Sequence, residues 1–314
     1  MIKRIIALVL CAVALLGVLT ACGSKNEKLT VICTVFPVYD WVRSVVGENE
    51  NIDVRLLVSD GADLHSFQPT AKDAIAIKTA DLVVRVGGND DSFVNELVKD
   101  SMGIDLRLSE ISGVTLRHTS VSSDDRHEDG EEHSHHHATD EHIWLSLKNA
   151  IVCIDEIRRS MSTIDPEGSD NYEKNAADYI EKLRSLDMAY EKAIDSVDEP
   201  RMVFADRFPF VYMTEDYGIA YEAAFEGCTT DAEAGFDTVI RLAAKTEKWG
   251  LSCVFVTECS DGRLPASVSE AVTGKEIEIA VLNSMQSVTS KDIASGQTYI
   301  GIMESNLSVL ERYL

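Results

Sequence analysis

Leu29-Thr-Val-Ile-Cys-Thr-Val-Phe36 (LTVICTVF), followed at once by Pro37 and by Tyr39, Val42 and Val45 at helical spacing, sets the pattern of the whole chain. The first stretch is a run of β-branched residues with no polar alternation, which is how a strand buried on both faces reads. Pro37 stops it, and Val38 to Val46 places its apolar residues on one side of a helix. A strand at Ile52 to Val58, a Gly61-Ala62-Asp63 turn, a helix at Ala71 to Ala80 and a strand at Asp81 to Val86 follow, and Gly87-Gly88 leads into a helix near Phe93 to Lys99. Strands alternating with helices at this spacing imply parallel pairing and an α/β layer fold.

Farther along, Tyr172, Ala176, Tyr179, Leu183, Leu186, Tyr190 and Ile194 recur at steps of three or four between Pro166 and Val197. That is one long amphipathic helix, with Asp165-Pro166 at its start and Pro200 just past its end. A second α/β pattern comes after it. Arg201 to Ala205, Ile219 to Ala224, Leu251 to Thr257 and Ile277 to Leu282 read as strands, and Asp237 to Lys248, Pro265 to Val272 and Thr298 to Leu314 as helices. The expectation is two α/β lobes with parallel sheets, residues 29–165 and 199–314, joined by the helix of residues 166–198. No internal repeat is visible residue by residue.

The other end of the chain concerns compartment. Lys3 and Arg4 precede an apolar run from Ile5 to Leu19, which fits a secretory signal. The run is too short to span a hydrocarbon core of roughly 30 Å. It ends in Leu19-Thr20-Ala21-Cys22, the pattern at which bacterial lipoproteins are cut and acylated, so residues 1–21 are expected to leave and residues 22–28 to form a tether. One acyl chain holds a membrane only marginally, so a diacylated Cys22 is the expected anchor. A net charge of −24 leaves no basic stripe for phosphates, excludes nucleic acid as a partner and suits the attraction of cations. The chain is expected to act as a monomer.

With Cys11 and Cys22 set aside, Cys33, Cys153, Cys228, Cys253 and Cys259 remain, an odd number with no C-x-x-C pair. Neither a disulfide framework nor a thiolate zinc knuckle is signalled. Cys33 and Cys253 lie in apolar strand-like runs and read as small buried hydrophobes, while Cys228 with Cys259 is a candidate disulfide.

Seven of the eight histidines fall between His118 and His142. The stretch Ser122 to His142 holds eight acids and six histidines and is expected to be a disordered surface loop, with order resuming at Ile143. In it, His127, His133, His135, His136 and His137 alternate with carboxylates. Imidazoles on such a tract would collect zinc, copper or nickel loosely and in several geometries. His65 stands in a loop at the carboxyl end of the Ile52 to Val58 strand, the edge at which α/β sheets bind ligands. His142 stands where order resumes, beside Trp144.

These residues carry a resemblance. Asp63-Leu64-His65-Ser66-Phe67-Gln68-Pro69 matches the Asp-x-His-x-(Tyr/Phe)-x-Pro motif, and His142-Ile143-Trp144-Leu145 the His-(Ile/Val)-Trp-Leu motif, of the metal-binding solute receptors of ABC importers. The chain from about Leu29 to Leu314 is similar to that zinc and manganese group, cluster A-I, and its acidic His-rich loop resembles the zinc-handling branch. The resemblance implies two lobes bridged by one rigid helix with the ligand cleft between them. It also implies His65 and His142 as metal ligands, a permease and an ATPase as partners, and no enzymatic activity.

Two departures from the family pattern follow. Counting back from Tyr217-Gly218, the place of the family's third ligand, a histidine, holds Arg207, which has no lone pair to give. The place of its aspartate ligand, in a Leu-Asp-Pro-Leu stretch, holds Asn283. Glu258, after the strand Cys253 to Thr257, and Asp206 are the nearest carboxylates by sequence. Glu258 reads either as third ligand or as the ion-pair partner of Arg207. Two histidines with at most one carboxylate favour Zn²⁺ over Mn²⁺, which prefers oxygen-rich shells. A metallohydrolase is disfavoured, because His127-Glu128 has no second histidine at the H-E-x-x-H spacing and no G-x-S-x-G elbow occurs. A surface metal buffer or an adhesin of the same fold would read alike.

Overall fold

The computed structural model describes residues 28–58, 67–119, 138–226 and 235–314. Its first lobe runs β1 (Leu29–Cys33), α1 (Phe36–Val46), β2 (Ile52–Leu56), α2 (Ala71–Thr79), β3 (Leu82–Arg85), α3 (Val94–Val98) and β4 (Ile104–Arg107). A two-stranded ladder of β5 (His118–Thr119) and β6 (Ala138–Thr139) then leads, through a 3-10 turn at Ile143–Leu145, into α4 (Leu147–Ile164). The long helix α5 (Ser169–Asp195) crosses to the second lobe. That lobe consists of β7 (Arg201–Phe208), α6 (Val211–Tyr217), β8 (Ala220–Glu226), α7 (Phe236–Trp249), β9 (Cys253–Thr257), α8 (Arg263–Ala271), β10 (Glu278–Leu282), α9 (Ser290–Ala294) and α10 (Tyr299–Tyr313).

The main sheets are parallel throughout, in the orders β2-β1-β3-β4 and β10-β9-β7-β8. Numbered from the first strand of each lobe, both run fourth, third, first, second. The lobes therefore repeat one topology although no repeat shows in the residues. In each the first strand is the point where the order reverses, so the crevice beyond its carboxyl end is the natural ligand position.

Alternation along the strands divides the core. Ile32 and Val83 face α2 and α3 on the outside of the first lobe, and Val203, Val254 and Val256 face α7 and α8 on the outside of the second. The opposite faces, with Val31, Cys33 and Val84 from one sheet and Met202, Phe204 and Phe255 from the other, join a single core that runs through α1, α4, α5 and α10. The seven α5 residues expected to form its buried stripe are all buried there. Two of them also bond to neighbouring helices: Tyr179 donates to Asp40 Oδ2 of α1 at 3.0 Å, and Tyr190 to the Met303 carbonyl of α10 at 2.6 Å.

Boundaries differ from the sequence reading in a few places. Pro37 sits in the first turn of α1 rather than closing the strand, a position where its fixed φ suits the helix and its missing N–H costs nothing. Helix α4, strand β4 and helix α6 were not anticipated. Cys33, Cys153 and Cys253 are buried hydrophobes, and burial pushes the thiols of Cys153 and Cys253 up to about 12. Cys228, and with it the bridge to Cys259, lies outside the described residues, as do residues 1–21, Cys22 and the histidines at 127, 133, 135, 136 and 137. No helix among the described residues is long and apolar enough to cross a membrane.

Candidate metal centre

His142 is the best-defined of the candidate ligands. It stands between β6 and the 3-10 turn, only 3% exposed, with its Nδ1 2.9 Å from Asp140 Oδ1. The same oxygen accepts the backbone N–H of His142 at 2.8 Å. One carboxylate oxygen thus fixes both the backbone and the ring, placing the ring proton on Nδ1 and making Nε2 the nitrogen a metal would meet. A carboxylate behind a ligating imidazole orients the ring and raises its basicity. Trp144 stands edge-on to the imidazole with ring centroids 5.1 Å apart, donates from Nε1 to the Ser284 carbonyl at 2.9 Å, and has its own carbonyl held by the Tyr299 hydroxyl at 2.6 Å.

Glu141, between the two, points the other way. Its carboxylate accepts the backbone N–H groups of Asn89 and Asp90, the latter at 3.0 Å, and it lies so close over Gly88 that any side chain there would collide with it. Burial, with the nearby Asp90 charge adding to it, pushes the Glu141 carboxyl up to about 7.

From the second lobe, Glu258 follows β9 and reaches the turn after β10. Its Oε2 accepts the Ser284 N–H at 2.7 Å, while its Oε1 accepts from Ser284 Oγ at 2.9 Å, the Gln286 N–H at 3.2 Å and Ser287 Oγ at 3.3 Å. Asn283 shapes the same turn: its side-chain oxygen accepts the Met285 N–H at 2.8 Å, and Met285 takes the left-handed φ of 67°. Asp206 is turned to β9, accepting from Thr257 Oγ1 at 2.6 Å and Thr257 N at 3.2 Å. Arg207 is exposed near the carboxyl end of β7, just past a register shift against β8. Among the described residues no ion pair joins it to Asp206 or Glu258, so the expected pairing is not formed. Its only bond to Asp206 runs from its backbone N–H, at 2.8 Å.

His65 lies outside the described residues, but the ends of its segment do not. Val58, the last described residue before it, lines a small cavity together with Trp144, Met285 and Gln286. The root of the His65 segment, the turn that carries His142 and the loop that binds Glu258 therefore meet at one place on the seam. No cluster of three or more His, Cys, Asp or Glu side chains is assembled as a metal site among the described residues. The sequence reading missed Asp140, although an acid two residues before a candidate histidine was the available signal. Glu141 was not singled out either.

Two parallel α/β lobes of one topology, packed about a long helix with an oriented histidine at their seam, define a two-lobed binding protein. The chain belongs to the family described as zinc-uptake complex component A, periplasmic (ZnuA), whose model matches residues 31–313. The resemblance carried by the motifs is borne out. Among curated relatives, the zinc-binding lipoprotein AdcA of Streptococcus pneumoniae is 30% identical over 297 residues, which cover 94% of this chain and 58% of that protein. The chain thus spans little more than half the length of the curated relatives it matches first. The high-affinity zinc uptake system protein ZnuA of Bacillus subtilis is 26% identical, with 92% of this chain and 88% of the relative covered. Among solved structures, the Zn(II)-bound ZnuA-like domain of Streptococcus pneumoniae AdcA matches with a TM-score of 0.70 and 29% identity, over 91% of this chain and 98% of that one.

Proposed function

We propose that this chain is an extracytoplasmic receptor, not an enzyme, that captures a transition metal ion and delivers it to the permease and ATPase of an ABC importer. Zinc is the favoured ion, ahead of manganese, and acylated Cys22 is the membrane anchor. The observation that carries the reading is His142, buried at the seam between lobes with its Nδ1 engaged by Asp140. The zinc named in the descriptions of the relatives supports the choice of metal. His65 and His142 are the proposed primary ligands. The third is either Glu258, after giving up part of its present hydrogen bonding, or a group of the His-rich segment. Asp206 and Asn283 are weaker candidates, because each side chain is committed to a neighbouring strand or turn.

Metal analysis of the protein purified without chelator tests the ion: about one zinc per chain is expected, and stoichiometric manganese would overturn the choice. Intact mass of the natively expressed protein tests the anchor. A diacylated Cys22 is expected at the mature amino terminus, and an unmodified terminus downstream of it would refute it.

A further inference from the structure

Helix α6 presents Tyr212, Glu215 and Asp216, at the i, i+3 and i+4 spacing of one face, to the foot of the β5–β6 ladder and the start of α4. The hydroxyl of Tyr212, whose side chain is fully buried, accepts the Arg117 N–H at 3.2 Å and donates to the Asp140 carbonyl at 2.7 Å. The N–H of Asp140 is in turn held by the Arg117 carbonyl at 2.9 Å. Both peptide groups of Asp140 are therefore fixed, one from the first lobe and one from the second. Around this point Arg117 pairs with Glu215 at 2.8 Å and with Asp216 at 3.1 Å, and Asp216 also takes the hydroxyl of Ser146, the N-cap of α4. Entry to the ladder, exit from it and the helix beyond His142 are all tied to one face of a second-lobe helix.

The geometry points to Tyr212 as a positioning residue for His142, acting through Asp140. The inference rests on the reading of His142 as a metal ligand. The backbone of Asp140 sets where its carboxylate lies, and that carboxylate sets the imidazole. A phenylalanine at position 212 would leave the Asp140 carbonyl and the Arg117 N–H without their partner inside the seam, and buried groups left so relax toward other partners. The second lobe then governs affinity at the first-lobe histidine without supplying a ligand there.

The test is competition of the full chain against a chromophoric zinc chelator. Tyr212→Phe is expected to weaken zinc binding about tenfold, the lower end of what loss of an outer-shell partner costs at zinc sites. Tyr190→Phe is the control, since that buried hydroxyl also donates to a backbone carbonyl, at Met303, away from the site. It is expected to lower thermal stability comparably and leave affinity unchanged. In a His142→Ala background the Tyr212→Phe effect should vanish. If Tyr212→Phe binds zinc like the parent while His142→Ala does not, the positioning role is overturned and the ligand reading stands. If His142→Ala itself binds like the parent, the ligand reading fails. Equal loss of affinity in Tyr212→Phe and Tyr190→Phe would assign Tyr212 to stability alone and overturn the inference. Should Tyr212→Phe not fold, Asp216→Asn takes its place in the same comparison: a several-fold loss of affinity is expected, and parental affinity overturns the positioning of His142 by this helix face.

Discussion

At the scale of single residues, the candidate centre is asymmetric. His142 is oriented by a carboxylate and walled by an indole, and a side chain held in this way loses little freedom on binding. His142→Ala and His65→Ala are each expected to weaken zinc binding at least tenfold in competition titration, with parental affinity in both overturning the assignment. Glu258 presents the opposite case. Its carboxylate is already an acceptor for the 284–287 turn, and hydrogen bonds to a charged group contribute about 1.5–3 kcal/mol each. Glu258→Gln should lower stability whatever its effect on metal. If it also weakens zinc binding sharply, Glu258 is the third ligand. If affinity is unchanged while deletion of residues 122–139 abolishes tight binding, the His-rich segment completes the shell and Glu258 is a structural anion. His142 was legible because imidazole before Ile-Trp-Leu is chemically conspicuous. Tyr212 was not, because its importance lies in a bond between residues 72 apart, which no local pattern records, whereas Asp140 lies two residues before His142 and its signal is local.

Among the elements, the buried strands and the long helix were legible in the sequence for physical reasons. A strand covered on both faces must be apolar throughout, and a helix between two lobes must repeat its apolar residues every three or four. Strand β4 escaped because it is only Ile104–Arg107 and alternates with Asp105 and Arg107. Its Asp105 bonds the buried Arg85 guanidinium, which also bonds the buried Asp91 and the exposed Asn95. Helix α4 escaped although Leu147, Ala150, Ile154, Ile157 and Met161 carry the right spacing, because it starts directly after the polar His-rich stretch. Asp40 shows how the elements are joined: its Oδ2 accepts from Tyr179 of α5 at 3.0 Å and from the N–H of Tyr299 at the start of α10 at 3.1 Å. Burial holds the Asp40 carboxyl above its ordinary value, against the pull of these bonds and of Arg43. A carboxyl raised in the folded state favours folding fully below its unfolded value of about 3.9, and that contribution is lost as pH rises through the folded value. Asp40→Asn keeps an acceptor oxygen without the charge. Its thermal midpoint relative to the parent should therefore rise from pH 3.5 to pH 7, and a difference that does not change with pH would contradict the burial argument.

For the whole molecule, the decisive feature is that the two sheets share one inner core, although each also packs its outer face on its own helices. The inner faces of both, with α1, α4, α5 and α10, form one continuous cluster, and Trp144–Ser284, Tyr299–Trp144 and Tyr212–Asp140 bonds cross the same seam. Unfolding one lobe alone would expose the inner face of the other and strand these polar groups, a cost to the folded lobe that its neighbour's entropy alone must offset. Two lobes of one topology are therefore expected to melt together, in a single calorimetric transition whose van't Hoff and calorimetric enthalpies agree. A ligand held at the seam stabilises the whole unit by mass action. At a free zinc concentration about a hundredfold above Kd the gain is about 2.7 kcal/mol, and for a chain larger than ~250 residues that corresponds to a rise of several degrees in the midpoint of the one transition. Two resolved transitions in the metal-free protein, with zinc moving only one of them, would show that the lobes fold independently and that the metal belongs to one lobe rather than to the seam.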